Sequence, residues 1–233
     1  MTRIVAIADS HCQHRSITLP PCDILIHAGD ATYRGTEGEI SDFLSWFSTQ
    51  DAKHKIFVPG NHDYLPQKNP SLFRSLVPDS VRVLIDARIE LEGLIFYGTP
   101  WTPFFYDWAY NSLEERGGQG YNYEGGPGWN PKSDKDHPYS KDMFDQISDD
   151  VNILICHGPP RLGNLDRCLP MGNPVGSEEL MKKCTQLKQL KVFISGHIHE
   201  GHGYDIFNGV TYYNVSTCNR DYKPVNAPVV MDL

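Results

Sequence analysis

The chain has 233 residues, with 21 lysines and arginines against 29 aspartates and glutamates, which gives a formal net charge of −8 at pH 7. A chain of this length suits one large domain that buries its own hydrophobic core. The acidic balance argues against binding to long nucleic acids or to anionic membrane surfaces. It still allows a small phosphorylated ligand, because a bound cation can supply positive charge locally.

The apolar segments and the cysteines indicate in which compartment the protein is expected. The most apolar stretches have the length of strands and fall short of the ~20 residues that cross a bilayer. The apolar run before Asp9 is too short for a signal peptide. The six cysteines form no CxxC pair, which in a chain of this length is typical of reduced thiols. We therefore expect a cytoplasmic protein that contacts no membrane.

Short apolar runs followed by turn residues predict five buried strands. These runs span residues 4–8, 24–28, 56–58, 153–156 and 192–195. Further strands are predicted in a hairpin, over 88–90 and 95–97, and near the end of the chain, over 204–207, 211–215 and 229–231. The hairpin adds antiparallel pairing, so the sheets are expected to be mixed.

Two amphipathic helices are predicted between the strands, over residues 36–50 and 177–190. Each places apolar side chains three and four positions apart, so that they share one face of the helix. These side chains are Ile40, Phe43, Leu44 and Phe47 in the first helix, and Leu180, Cys184 and Leu187 in the second. Strands that alternate with helices indicate an α/β layered domain.

Residues 101–141 differ from the rest of the chain. They contain three tryptophans, many other aromatic residues and a glycine-rich stretch at 117–128. A loop of this length inside a compact domain is usually functional or disordered, and its aromatic content argues against disorder. We expect an ordered insertion within a single domain spanning 1–233, serving either as a lid or as an oligomer contact. The sequence leaves the oligomeric state open.

Side chains that can bind metal ions follow each of the five buried strands. In an open α/β sheet, the carboxyl ends of the strands are where ligands collect. The set is too large for one tetrahedral ion and suits two ions that share a carboxylate. Mixed oxygen and imidazole ligands favour Mn, Fe or Zn over Mg or Ca. The residues are Asp9, His11, Asp30, Asn61, His62, His157, His197 and His199.

The spacing of these residues supports a shared site. Asp9 and His11 are two residues apart, as are His197 and His199, so in an extended segment each pair points to the same side. Glycines stand next to the ligands, where they allow tight turns and a close approach of the backbone. Two ions about 3.5–4 Å apart can clamp both oxygens of a phosphoryl displacement.

Taken together, these motifs resemble those of the calcineurin-like metallophosphoesterase superfamily. The matching segments, in chain order, are Asp9-Ser10-His11, Gly29-Asp30, Gly60-Asn61-His62-Asp63, His157-Gly158 and Gly196-His197-Ile198-His199. Segments 23–30, 157–160, 199–203 and 214–218 further resemble the metallophosphoesterase-domain-containing branch, whose members are phosphodiesterases with nucleotide affinity. The resemblance implies a two-sheet mixed β-sandwich flanked by helices, with the metal ions at one edge of the sheets.

The resemblance also implies a role for each matching residue. The first metal ion would be held by Asp9, His11, Asp30 and His199. The second would be held by Asp30, Asn61, His157 and His197, so Asp30 would bridge the two ions. His62 would lie near the leaving group as a general acid or charge stabiliser, and Asp63 would orient it by accepting its other ring N–H. The nucleophile would be a metal-bound hydroxide, so no serine or cysteine nucleophile is needed.

The sequence thus favours hydrolysis of a small phosphodiester, with a nucleotide or cyclic nucleotide as one candidate. The few arginines near the motifs favour a diester slightly over a monoester. The alternatives are a phosphomonoesterase or protein phosphatase of the same superfamily, and a nucleotide-binding protein with little turnover. A metallo-β-lactamase fold is disfavoured because its HxHxDH motif needs an aspartate where this chain has Gly201.

Several nearby residues are left with two interpretations. Trp101, Phe104, Phe105 and Trp108 suit either core packing or a platform on which a nucleobase stacks. Arg161 follows the His157 motif and could reach a phosphate or form a surface salt bridge.

Overall fold

The computed structural model describes residues 1–114, 137–168 and 172–233. Of the insertion predicted at 101–141, it therefore describes the two ends, 101–114 and 137–141. Residues 115–136 lie outside the described part of the chain. The assignment of 1–233 to one domain stays a prediction.

The described residues form strands and helices, and the helices lie between groups of strands along the chain. The strands are β1 (Arg3–Ile7), β2 (Cys22–His27), β3 (Ala52–Phe57), β4 (Val81–Val83), β5 (Ala87–Leu91), β6 (Leu94–Thr99), β7 (Thr102–Pro103), β8 (Asn111–Ser112), β9 (Ile153–Cys156), β10 (Arg167–Cys168), β11 (Asn173–Pro174), β12 (Val192–Ser195), β13 (Gly203–Phe207), β14 (Val210–Asn214) and β15 (Val229–Asp232). The helices are α1 (Glu37–Ser48), α2 (Leu65–Lys68), α3 (Pro70–Leu76), α4 (Ser140–Phe144) and α5 (Glu178–Gln186).

Two mixed sheets form the centre of the fold. The first has the strand order β15-β1-β2-β3-β4 and the second has the order β13-β14-β12-β9-β6-β5. In each sheet the inner strands run parallel, and antiparallel neighbours lie at the edges: β15 beside β1, β13 beside β14 and β5 beside β6. The predicted mixed α/β architecture with two sheets is confirmed.

Alternating side chains of the strands build two layers of core. In β1, Ile4 and Ala6 face the other sheet, while Val5 and Ile7 face α1. The layer between the sheets is aliphatic and includes Ile24, Ile26, Ile56, Ile153, Ile155 and Ile194. The helices cover the outer faces, because their apolar stripes would otherwise stay in water.

The two predicted helices begin where their capping residues stand. Thr36 accepts a hydrogen bond from the Glu39 amide while the Glu39 carboxylate accepts one from the Thr36 amide, which forms a capping box at the start of α1. Ser177 caps α5 in the same position. α5 ends at Gln186 rather than at residue 190, because Leu187 has an extended backbone.

The strand connections bring the polar turns to one edge of the sandwich. The parallel strands β1, β2 and β3 of the first sheet and β9 and β12 of the second end at this edge. Backbone hydrogen bonds from the Ala8 amide to the Val215 carbonyl and from the Thr217 amide to the Ala8 carbonyl join the two sheets there. Within the described ranges, no helix has the length and apolar character needed to cross a membrane.

Candidate metal centre

All seven residues predicted to bind metal ions meet at this edge, together with His62. Six of the seven form two groups on either side of the seventh, Asp30. Ligand atoms lie within 4.8 Å of one another in three clusters: Asp9, His11 and His199; His11, Asp30 and His62; and Asp30, His157 and His197. Asp30 belongs to two of these clusters, as expected for a bridging carboxylate.

The first group contains Asp9, His11 and His199. The Nε2 atoms of His11 and His199 are 3.1 Å apart. The His199 Nε2 lies 3.6 Å from the Asp9 carboxylate, and the His11 Nε2 lies 3.9 Å from that of Asp30. Both carboxylates are buried, so the ligand atoms converge in a site largely shielded from solvent.

The second group contains Asn61, His157 and His197. The Asn61 Oδ1 lies 2.9 Å from the His157 Nε2 and 2.7 Å from the His197 Nδ1. The His157 Nε2 is also 3.3 Å from Asp30 Oδ1. Asp30 therefore faces the first group with Oδ2 and the second group with Oδ1.

Backbone carbonyls orient three of the imidazoles. The Nδ1 atoms of His11, His157 and His199 lie 3.1, 2.8 and 3.0 Å from the carbonyl oxygens of Thr32, Ala28 and Asn219. Since a carbonyl only accepts hydrogen bonds, each Nδ1 carries the proton, and each Nε2 of a neutral ring presents a lone pair to the site. This is the arrangement found where histidines bind a metal ion through Nε2.

The donor set fits metal ions well. The His11 and His199 Nε2 atoms would face each other with lone pairs at 3.1 Å, and His157 Nε2 faces oxygens of Asn61 and Asp30 in the same way. Such contacts between acceptors repel unless a proton or a cation lies between them. The mixture of carboxylate, amide oxygen and imidazole is typical of divalent transition metals.

The protonation of the ligands also suits cation binding. Burial lowers the pKa of His11 to about 4 and that of His197 to about 3, so both rings are neutral at pH 7. Burial alone would raise the pKa of Asp9, but the neighbouring His199 outweighs it and lowers that pKa to about 2. For His157, the Asp30 carboxylate outweighs burial and raises the pKa to about 9, so a bound cation would displace that proton.

The ligands converge through unusual backbone geometry. Asp9, His11, Asp30 and His197 have φ values of 52°, 40°, 55° and 68°, a region that residues other than glycine rarely adopt. The prediction that extended segments aim each pair is therefore wrong in its geometry, because left-handed turns bring these side chains together. Backbone strain of this kind concentrates at functional sites, where the surrounding structure maintains it.

Two glycines allow the close approach of the ligand loops. A Cβ atom on Gly60 would lie 2.3 Å from Asp30 Oδ1 and 2.7 Å from a ring carbon of His157. A Cβ atom on Gly196 would lie 2.4 Å from Asp9 Oδ2. Any larger residue at these positions would displace a ligand, so both glycines are part of the site.

Comparison with known proteins identifies the family. A family model described as calcineurin-like phosphoesterase matches residues 2–201 of the chain. The chain belongs to this family. Metallophosphoesterase domain-containing protein 1 of Homo sapiens is 32% identical over 255 aligned residues, which cover 100% of the chain and 71% of that protein. The resemblance to this branch is thereby confirmed, and the metallo-β-lactamase alternative is excluded.

Solved structures of low sequence identity share the fold. The phosphopantetheinyl hydrolase PptH from Mycobacterium tuberculosis matches this phosphoesterase with a TM-score of 0.59 at 16% identity, covering 97% of the chain and 95% of PptH. The protein TT1561 of Thermus thermophilus matches with a TM-score of 0.58 at 12% identity. The match covers 99% of the chain and 98% of TT1561. The chain is a hydrolase of the metallophosphoesterase superfamily, a family that typically binds divalent metal ions.

His62 lies beside the bridging carboxylate of this phosphoesterase. Its backbone amide donates to Asp30 Oδ1 at 2.8 Å, and its Nε2 lies 4.0 Å from Asp30 Oδ2. Its Nδ1 lies 2.8 Å from the Tyr33 carbonyl oxygen, which leaves Nε2 facing the site. This geometry is compatible with the prediction that His62 lies near the leaving group of a substrate.

The predicted role of Asp63 is wrong. The carboxylate accepts hydrogen bonds from the Gly60 amide at 2.8 Å and from the Thr32 amide and hydroxyl at 3.0 and 2.7 Å. The ring of His62 is oriented instead by the Tyr33 carbonyl. Asp63 therefore joins the turn after β2 to the turn after β3, and burial raises its pKa to about 6.

Supporting residues from the segment between β14 and β15 were missed. The Ser216 hydroxyl donates to Asp9 Oδ2 at 2.6 Å, and the Asn219 carbonyl accepts from His199. The ring of Tyr222 lies 4.8 Å from that of His11 and 5.1 Å from that of His199, measured between centroids. Residues 214–218 resembled the family branch, but the sequence held no signal that this segment reaches the ligands.

The structure decides between the two interpretations of Trp101, Trp108 and Arg161. Trp101 donates from Nε1 to Asp86 Oδ2 at 2.8 Å and packs beside the core under α5, so its role is structural. Trp108 lies at the metal centre, with its ring 4.6 Å from that of His62. Arg161 forms an ion pair with Glu178 near the start of α5, as the salt-bridge interpretation expected.

Proposed function

We propose that this protein is a dinuclear metal-dependent phosphodiesterase that hydrolyses a small phosphodiester with water. The observation that carries the proposal is the pair of ligand groups on either side of one buried carboxylate, Asp30. Asp9, His11 and His199 would complete the first ion's shell, and Asn61, His157 and His197 that of the second. Two divalent ions, when bound, supply an activated water and neutralise charge on the phosphate.

The chain's own residues would supply the remaining chemistry. His62 presents Nε2 beside Asp30, where it can donate a proton to the departing oxygen. The backbone carbonyls of Thr32, Ala28 and Asn219 hold the imidazoles with Nε2 towards the ions. This prior orientation means that little reorganisation is needed during the reaction.

Two arginines that follow the His157 motif in the chain are already paired with other groups, which we take as support for a diester rather than a monoester. Arg161 pairs with Glu178. Arg167 donates to the carbonyls of Gly163 and Gly172. A monoester carries one more negative charge than a diester and would gain more from a free cation beside the ions. A phosphomonoesterase or protein phosphatase is the alternative within the superfamily.

The same proposal includes the identity of the metal ions, the substrate and the cellular location. We infer Mn, Fe or Zn as the metal ions, because imidazole and carboxylate ligands are combined. A nucleotide or cyclic nucleotide is the candidate substrate suggested by the family branch. The acidic charge and the cysteine pattern support a cytoplasmic protein that binds neither long nucleic acids nor membranes.

The test is hydrolysis by the full-length protein with Mn²⁺, over a panel of cyclic nucleotides, mononucleotides, nucleic acid, phosphopeptides and an aryl phosphodiester. We expect turnover of a diester, and at least about a thousandfold loss together with reduced metal content in Asp30→Ala. His54→Ala is the control, since His54 pairs with Glu92 on the surface. Undiminished turnover in the Asp30 variant contradicts the proposal. Nucleotide binding without hydrolysis under every divalent ion supports the non-catalytic alternative.

A further inference from the structure

Aromatic side chains stand beside the first group and His62. We call Tyr33, Trp108 and Tyr222 the aromatic rim. The ring centroids of Tyr33 and Tyr222 are 5.4 Å apart, and that of Tyr33 lies 6.0 Å from His62. Trp108 contacts His62 at 4.6 Å. The ring of His62 therefore has two aromatic neighbours in this rim, Tyr33 and Trp108.

The rim is tied to the loops that carry the ligands. The Tyr33 carbonyl accepts the hydrogen bond from His62 Nδ1. The Ala109 amide, next to Trp108, donates to the carbonyl of Asn61 at 3.2 Å. These backbone bonds place both rings relative to the metal centre, so the rim is organised before any substrate arrives.

The rim residues are not simply part of the core. Tyr33 is 46% exposed and Trp108 is half-buried, although aromatic rings of this size usually bury most of their area. Tyr222 adopts a φ of 58°, which is rare for a bulky residue. Its carbonyl accepts a hydrogen bond from the Gln13 side chain, which helps to hold this conformation. An exposed ring at Tyr33 and a strained backbone at the neighbouring Tyr222 are features that concentrate at functional sites.

The position of the rim defines which part of a substrate it would meet. Under the proposed function, His62 faces the departing oxygen, and the rings of Tyr33 and Trp108 lie 6.0 and 4.6 Å from its ring. The group attached to that oxygen would therefore lie close to these two rings. Flat aromatic faces bind planar rings better than bulky saturated ones, because stacking needs parallel or edge-on contact.

We propose that Tyr33 and Trp108 select phosphodiesters whose departing alcohol carries a planar aromatic group. The inference rests on the proposed function and adds the substrate's shape at the leaving side. Alternatively, the rings only shield the imidazoles from water, in which case the shape of the departing group would not matter.

The test compares phenylphosphonate with cyclohexylphosphonate as competitive inhibitors of the Mn²⁺-loaded full-length protein hydrolysing an aryl phosphodiester. The two compounds carry the same anionic group on rings of similar size, and only the phenyl ring is flat. We expect phenylphosphonate to have an inhibition constant about 5-fold lower, within the range of aromatic pairing. Equal inhibition constants, or no inhibition by either compound, overturn the inference.

Variants show whether the rim causes the preference. Trp108→Leu and Tyr33→Leu keep apolar bulk but remove the flat ring, and we expect each to bring the ratio of inhibition constants towards one. Tyr204→Leu is the matched control, because Tyr204 is 69% exposed on the edge strand β13. A ratio that is unchanged in both rim variants, with metal content also unchanged, overturns the assignment.

The outcomes separate the two proposals. If the protein hydrolyses diesters but binds the phenyl and cyclohexyl compounds equally, only the aromatic selection is wrong. If no phosphoester is hydrolysed with any divalent ion, the proposed function itself fails and this inference falls with it. Loss of folding in Trp108→Leu leaves the exposed Tyr33→Leu variant to decide.

Discussion

The two halves of the metal centre are built differently. In the second group, Asn61 and His157 are completely buried, and His157 is oriented by Ala28, the residue directly after β2. In the first group, His199 is oriented by Asn219, which belongs to the segment between β14 and β15. The second group thus depends on the ends of neighbouring strands, and the first depends on a distant loop.

The surroundings of the halves differ as well. Glycines press against both groups, since no Cβ atom would fit between Gly60 and Asp30 or between Gly196 and Asp9. Aromatic rings of Tyr33 and Tyr222 stand beside His11 in the first group. Because His157 is held from the end of β2, we expect the second half to form a rigid cage of candidate ligands, whereas the first half stands beside aromatic rings. Three predictions sharpen this contrast.

The largest effect is expected from removing one ligand in each half. His157→Ala and His199→Ala should each lose one of the two ions and reduce turnover by at least about a thousandfold, more than the 10- to 100-fold typical of residues that only support ligands. Because His157 is buried, its replacement should also leave a cavity and lower stability by about 2–3 kcal/mol more than that of His199. Metal analysis, kinetics and urea unfolding measure the three quantities. Equal stability losses would remove the contrast between the halves.

A smaller effect is expected from crowding the rigid half. Gly60→Ala places a methyl group against Asp30 and His157, so we expect turnover to fall about a hundredfold and stability to fall by about 1–3 kcal/mol. Gly38→Ala is the control, because nothing lies within 4 Å of its added Cβ atom and alanine favours the helix α1. If Gly60→Ala retains both ions and full turnover, the cage is not rigid.

The smallest expected effect concerns pH in the metal-free protein. The pKa of His157 is raised to about 9 by Asp30, so its contribution to stability is fully present below about pH 6.5 and is lost as pH rises through 9. We expect metal-free protein to lose roughly 2 kcal/mol between pH 7 and 9.5, and His157→Gln to lose less. Denaturant unfolding at both pH values measures this. An identical pH dependence in the two proteins would show that the pair does not contribute.

The convergence of the candidate ligands could be predicted from sequence because each of them follows an apolar strand. Burial forces such strands into parallel sheets, and parallel sheets collect their carboxyl ends at one edge. The helices were predictable from the spacing of Ile40, Phe43, Leu44 and Phe47, although α5 ends earlier than its apolar pattern. Family resemblance added the assignment of each ligand to one of two ions.

The supporting contacts could not be predicted in the same way. Asp63 follows His62 directly, and adjacency suggested a partnership. The structure instead turns Asp63 towards Gly60, Ala31 and Thr32, because four donors from two loops converge on its carboxylate. Trp101 and Trp108 belong to the same aromatic stretch of the sequence, yet one packs under α5 and the other against His62.

The sequence by itself determined the chemical content of this protein: two carboxylates, an amide and four imidazoles placed after five strands, in the order of a metallophosphoesterase. Only the tertiary structure decided which backbone carbonyl orients each imidazole and which aromatic rings stand beside the site. The physical reason is the separation of the interacting residues along the chain. Strand ends and helix faces follow from periodicity within a dozen residues, whereas the hydrogen bonds from His199 to Asn219 and from Ser216 to Asp9 depend on how two sheets pack.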